Sequence, residues 1–279
     1  PGGARLESVS DDAAGDVAIP AGTFVLGARP QDGFVFDNEK WGHAHEVAPF
    51  RIARTVVSQG EFAAFTDAGG YADRALWSDE GWEWRQSRAL EHPVYWRRDR
   101  GGWQRRRFDR WLPLESGAAM IHVSWHEAQA YCRWAGRRLP TELEWEVAAA
   151  AEPTADGGAL AEVKRRYPWG DEPPTPDRAN LDGHALGTID VGALKDGDSA
   201  FGCRQMIGNV WEWTDTVFGP YPGFEPDMYA DYSQPLFGNT RVLRGGGWAT
   251  RGRMIRNTWR NYYGADRNDV FAGFRTCAL

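Results

Sequence analysis

The residues best suited to chemistry crowd into one short stretch, Arg256-Asn257-Thr258-Trp259-Arg260-Asn261-Tyr262-Tyr263. A guanidinium clamps a carboxylate through paired N–H groups, and a phenol holds or gives a proton. Arg256 and Arg260 are therefore candidate substrate clamps, and Asn261, Tyr262 and Tyr263 candidate polar contacts. Tyr221, Tyr229 and Tyr232, in a Pro- and Gly-rich segment, add three more phenols as candidate proton donors. The competing reading is aromatic packing with surface arginines.

Glu212 stands between Trp211 and Trp213. A carboxylate in apolar company needs a cation. Ca²⁺, which favours mixed carboxylate and carbonyl oxygens, is one candidate. An ion pair with Arg244 or Arg275 is the other, at even weight. His122 and His126 are four apart, with Glu127 beside the second. If Ser124 caps a helix, however, His122 lies before it and the two rings need not share a face. His43 and His45 alternate on an expected strand and point the same way.

The elements that must position these groups can be read from turn and cap signals. Ser58-x-x-Glu61, Ser124-x-x-Glu127 and Thr141-x-x-Glu144 each match the reciprocal hydroxyl–carboxylate cap of a helix start, and each is followed by apolar periodicity. Three short helices are expected. Gly69-Gly70, Gly136 and Glu152-Pro153 end them. Residues 17–27 read as two strands about a Pro-Gly turn, 34–39 as an extended piece, 47–53 as a strand and 77–111 as short strands or ordered loops. Residues 152–206 are expected to wander over the surface. Gly208–Thr214 and Arg241–Trp248 combine Trp, Gly and a carboxylate into a pinned aromatic centre.

Composition narrows the class. Fifteen Trp and 33 Gly in 279 residues favour loops and aromatic clusters over long helices. A net charge of −7 argues against a nucleic-acid binder. No apolar run approaches the ~20 residues of a membrane span. Cys132, Cys203 and Cys277 are too few and too scattered for a disulfide framework and read as small buried thiols in a reducing, cytoplasmic setting. Residues 1–16 read as a linker, and residues 17–279 as one domain. The chain opens Pro1-Gly2-Gly3 without an initiator Met, so more sequence is expected upstream.

Five of these motifs together carry a family resemblance. Ile19-Pro20-Ala21-Gly22-Thr23-Phe24, Leu139–Glu146, Gly208–Trp213, Val242–Trp248 and Gly273-Phe274-Arg275 resemble the formylglycine-generating-enzyme (sulfatase-modifying factor) superfamily. The resemblance implies an α+β, C-type-lectin-like arrangement with little regular secondary structure. Phe34–Glu39, Trp103–Leu114 and Pro220–Phe224 further resemble the catalytic lobe of the ergothioneine-biosynthesis sulfoxide synthases (EgtB type) and their ovothiol and selenoneine relatives. Those enzymes use non-haem Fe²⁺ and O₂ to join sulfur or selenium to the imidazole of hercynine. Their iron is held by three histidines on a separate N-terminal DinB-type domain, which is expected upstream of Pro1.

The resemblance places the family's substrate-facing triplet on Asn261-Tyr262-Tyr263, with Asn261 near the betaine and Tyr263 near the thiol or selenol donor. An acidic third residue would suit a γ-glutamylcysteine donor. Tyr263 favours another, such as free cysteine or a selenium-bearing sugar. The resemblance puts the family's proton-donating phenol on Tyr221, Tyr229 or Tyr232. Two alternatives stand beside this reading: a non-catalytic lectin-like binding module, and a sulfatase-activating copper oxidase. The latter needs a cysteine pair near the C-terminus, where this chain carries Arg256 and Asn261.

Overall fold

A computed structural model describes residues 14–279. All three caps read from the sequence form. Ser58, Ser124 and Thr141 each accept the backbone N–H three residues on, and each partner glutamate reaches back. They open helices α1 (Gln59–Asp67), α3 (Trp125–Trp134) and α4 (Glu142–Ala150). A fourth helix, α2 (Asp79–Ser87), corrects the expectation of strands or loops there. Ser78 caps it on the Gly81 N–H at 3.1 Å, but the third position is Gly, so the reciprocal cap signature is missing. Gly81 has a packing reason: a Cβ there would meet the His126 ring nitrogen Nδ1 at 3.2 Å.

The strands are short. One sheet orders Asn261–Tyr263, Arg241–Arg244, Trp211–Val217 and Ala272–Gly273 side by side. The two Trp/Gly motifs are thus neighbouring strands, with Glu212 opposite Arg244 and Leu243 opposite Asn261. A second sheet orders Asp16–Ile19, Phe50–Ala53, Cys277–Ala278 and Arg137–Arg138. The two strands about the Pro-Gly turn do not pair with each other: Asp16–Ile19 joins Phe50–Ala53, whereas Gly22–Leu26 joins His43–Val47. Residues 34–39 are not extended throughout, because Asp37–Glu39 coils into a 3₁₀ turn.

Two apolar cores flank the Trp/Gly sheet. On one side α1, α2 and α3 bury Phe62, Phe65, Trp84, Tyr131 and Phe274 with Trp213. On the other, α4 buries Trp145 and Ala148 against Ile19, Phe24, Ile52 and Met206. Residues 152–206 do more than cross the surface: Leu181, Val191, Cys203 and Met206 are buried. Asp16, assigned to the linker, opens the first strand and pairs with Arg137 at 2.7 Å. The linker expectation for residues 1–13 lies outside the described residues. No helix among the described residues is long and apolar enough to cross a membrane.

Candidate functional site

The strand Asn261–Tyr263 forms the edge of its sheet, and a buried ionic lattice holds it there. Helix α4 supplies two carboxylates one turn apart, Glu142 and Glu146. Arg244 bridges them, donating to Glu142 Oε1 at 2.7 Å and to Glu146. Arg260 Nε donates to Glu142 Oε1 at 2.6 Å and Nη2 to Oε2 at 3.1 Å. Tyr221 adds its hydroxyl to the same Glu142 oxygen at 3.1 Å. Lys164 Nζ reaches Glu146 at 2.5 Å, and the Gly27 N–H also donates to it. Further along, Arg256 and the Thr258 hydroxyl converge on Glu39, the latter at 2.7 Å.

Each acid is fully enclosed and has its cation, which is the condition for keeping buried charge. For Glu146 burial pushes the pKa up, but Lys164 and Arg244 outweigh it and the carboxyl lies below its ordinary range. Arg244 is held above the ordinary guanidinium range by the same two acids, against the opposing effect of burial.

The lattice reassigns two of the sequence candidates. Arg260 is 2% exposed and spends its N–H groups on Glu142 and on the carbonyls of Asn38 and Gly219. It fixes the chain immediately before Asn261 and does not reach solvent, so the expectation of a substrate clamp is corrected. Arg256 pairs with Glu39 but also lines a cleft of about 350 Å³ with Arg29, Lys164 and Arg166. Tyr221 is likewise interior, its ring 4.0 Å from the Arg260 guanidinium, which leaves Tyr229 and Tyr232 as the phenols near the surface.

Around the edge strand the aromatic residues form a continuous wall. Tyr262 stacks on Phe218 at 4.1 Å and donates its hydroxyl to the Tyr232 carbonyl. Tyr232 stacks on Phe36 at 5.0 Å, and Phe36 on Trp259 at 5.5 Å. Tyr229 is 68% exposed just beyond. The Tyr263 ring carries Arg267 at 5.3 Å, and the Asn261 side-chain oxygen accepts the Tyr262 N–H at 2.9 Å. Asn261, Tyr262, Tyr263 and Tyr232 are half-buried, so a surface of phenol and amide is presented on a rigid base.

The remaining candidates resolve as follows. Glu212 is buried and takes a bidentate Arg275, at 2.6 and 2.8 Å, with the Trp145 N–H at 2.9 Å on one of the same oxygens. Of its two readings, the ion pair is the one formed, and the Ca²⁺ seat is corrected. His122 and His126 part company: the first lies between Tyr95 and Phe271, the second between Trp84 and Trp125. His43 and His45 do face the same way, 4.7 Å apart, with Tyr221 4.6 Å from His43. All three thiols are free and buried, and burial pushes Cys203 up to about 11 and Cys277 up to about 12. Among the described residues no three His, Cys, Asp or Glu side chains converge as a metal site.

Sequence reasoning overlooked Glu39, Glu142 and Glu146 as site-builders. The i, i+4 spacing of the last two on an expected helix was the available signal.

The chain matches the family described as "Sulfatase-modifying factor enzyme 1-like domain" over residues 4–278. It belongs to that family. It is 45% identical over 254 residues to the "Hercynine oxygenase" of Mycobacterium tuberculosis, covering 90% of this chain and 58% of the relative. A formylglycine-generating enzyme of Streptomyces coelicolor is 35% identical over 84% of this chain and 78% of its own. The chain thus spans little more than half the length of the hercynine oxygenase. Among solved structures, PvdO from Pseudomonas aeruginosa superposes with a TM-score of 0.63 at 20% identity, covering 96% of this chain and 95% of its own, which shows the shared fold.

Proposed function

We propose that this chain is the substrate-binding lobe of an O₂-dependent, non-haem iron oxygenase that joins a thiol or selenol to the imidazole of hercynine, in the cytoplasm. The observation that carries the reading is the 45% identity to a hercynine oxygenase along 90% of the chain. The rigid Asn261–Tyr263 edge beside Tyr229 and Tyr232 supports it, because an oxygenase lobe must orient a zwitterionic substrate and hold a proton donor near it.

The described residues do not fit the iron: the histidines occur as separated singles or as a pair without a third ligand. In this reading the iron belongs to an N-terminal DinB-type domain, where it would activate O₂. This chain's own residues orient the substrates. Asn261 offers its amide to the betaine, Tyr263 closes the donor's side, and Tyr229 or Tyr232 holds the proton. The copper-oxidase reading asks for a pair of reactive thiols, whereas these thiols are buried and held protonated at neutral pH.

The test is to produce the chain with its upstream coding sequence, load it with iron, and follow O₂ uptake with hercynine and a panel of thiols and selenols. Hercynine-dependent uptake with a new C–S or C–Se product by mass spectrometry is expected. No turnover with any donor, iron being bound, would overturn the reading.

A further inference from the structure

A second cleft, of about 200 Å³, is lined by none of the residues of the Asn261–Tyr263 surface or of the ionic lattice. Its wall is an aromatic row: Tyr95 lies 4.8 Å from the His122 ring, His122 5.6 Å from Phe271, and Phe271 4.8 Å from Trp248. Arg106 and Arg107, the more exposed pair, line it together with the buried Arg105.

Three observations mark this cleft as a binding site. The first is unspent hydrogen-bonding capacity. Four lining side chains carry a polar atom without a partner among the described residues: Gln59 Oε1, Arg105 Nε, His122 Nδ1 and Thr188 Oγ1. Gln59, Arg105 and Thr188 are each more than nine-tenths buried. Buried polar groups are nearly always paired, so four exceptions on one wall call for an explanation. The second is backbone conformation. Phe108, His122 and Leu186 have φ of +53°, +62° and +50°, the left-handed region that side chains rarely adopt, and all three line the cleft. Such residues gather at ligand sites because the surrounding structure holds them there.

The third is charge. Arg106 donates to the Phe108 carbonyl and Arg107 to the Ala185 carbonyl, neutral partners that leave both charges uncancelled. Two of the acids nearby are paired with other arginines, Glu115 with Arg105 and Asp269 with Arg267. Burial holds His122 down to about 4, so its ring is neutral at pH 7 and does not add to the repulsion.

We propose that this cleft binds a small aromatic carboxylate. The ring would lie along Tyr95, Phe271 and Trp248. The carboxylate would meet Arg106 and Arg107, and a donor–acceptor edge would take up Gln59, Arg105 and Thr188. The site shares no lining residue with the Asn261–Tyr263 surface and does not depend on the hercynine reading.

The test is calorimetric titration of the 279-residue chain with benzoate, with benzyl alcohol as the neutral aromatic match and cyclohexanecarboxylate as the non-aromatic acid. Benzoate is expected to bind once per chain, the other two at least about tenfold more weakly. Thr188→Val should weaken benzoate about tenfold and Thr188→Ser should restore it, with circular dichroism showing both variants folded. Arg107→Gln should weaken benzoate and leave benzyl alcohol unchanged. No binding at millimolar benzoate, equal binding of benzyl alcohol, or displacement of benzoate by hercynine would each overturn the proposal.

Discussion

Arg260 grips Glu142 with two parallel hydrogen bonds, of 2.6 and 3.1 Å, one residue before Asn261. The pair ties the edge strand to helix α4, where Glu142 also serves Arg244 and Tyr221. Glu142→Gln leaves Arg260 charged and enclosed without its carboxylate and is expected to cost about 3–5 kcal/mol, read from urea midpoints, whereas Arg260→Met leaves Glu142 paired with Arg244 and should cost less. Arg260→Lys should not restore stability, since an ammonium cannot match the fork. Were Arg260 a substrate clamp instead, these changes would raise KM and leave the midpoint in place.

Glu212 yields a prediction about metal. Both its oxygens are already occupied by Arg275, and one also by the Trp145 N–H. Neither Ca²⁺ nor a chelator should move the Tm, as differential scanning calorimetry would record. Trp145→Phe should cost about 1–3 kcal/mol beyond any packing loss, because it strips a donor from a buried carboxylate. A Ca²⁺-dependent rise in Tm would contradict the assignment.

The helix caps show what was legible in the sequence and why. Ser58, Ser124 and Thr141 announced themselves because a hydroxyl and a glutamate three apart form a local, self-contained motif. Ser78 lacks the second half, and Trp82 and Trp84 read equally well as strand residues, so α2 went unseen. The ionic lattice was harder still. Glu39 and Arg256 are 217 residues apart, and nothing in either neighbourhood specifies the other. Long-range pairing of this kind is set by topology. The Glu212–Arg275 pair was among the readings only because Trp neighbours on both sides forced the question of its cation.

Those caps can be weighed against one another. Ser124→Ala removes the acceptor for the Glu127 N–H at a fully buried cap, while the return bond from the Ser124 backbone N–H to Glu127 stays, and should cost about 1–2 kcal/mol. Ser78→Ala removes a single bond at a more exposed helix and should fall near the low end, about 0.5–1 kcal/mol. Chemical denaturation of the two single variants checks the order.

Two buried groups give opposing pH dependence. Burial pushes the Glu127 carboxyl up to about 7, overcoming its bonds from Ser124 and Tyr71. A raised acid pKa contributes stability in full below its ordinary value near 4.5, and the contribution is lost as pH rises through 7. His122 runs the other way. Its pKa is lowered by burial to about 4, so its contribution is complete above 6.5 and is lost as pH falls through 4. Between 4.5 and 6.5 the two slopes oppose and the wild-type curve should be flattened. Glu127→Gln should unmask the histidine, giving a stability that falls steadily with acidification across this window. Urea midpoints at half-unit pH intervals would show it.

The phenols separate structure from turnover. Tyr221 is buried and spends its hydroxyl on Glu142, under the Arg260 guanidinium. Tyr221→Phe therefore removes one bond to a charged acceptor and should lower stability by about 1.5–3 kcal/mol, with kcat little changed in whatever fraction stays folded. Tyr229 is mostly exposed beside the edge strand, and the bond its carbonyl accepts from the Tyr232 N–H is kept in a phenylalanine variant. If it is the proton donor of the proposed oxygenase, Tyr229→Phe should leave the Tm in place and lower kcat by about 10²–10⁴-fold, the range for losing a positioned acid. Tyr232 lies between these cases, because its ring stacks on Phe36 while its carbonyl serves Tyr262. Tyr232→Phe keeps both contacts, so any loss of turnover there reports on the hydroxyl alone. If neither variant lowers kcat, the proton donor is not on this segment.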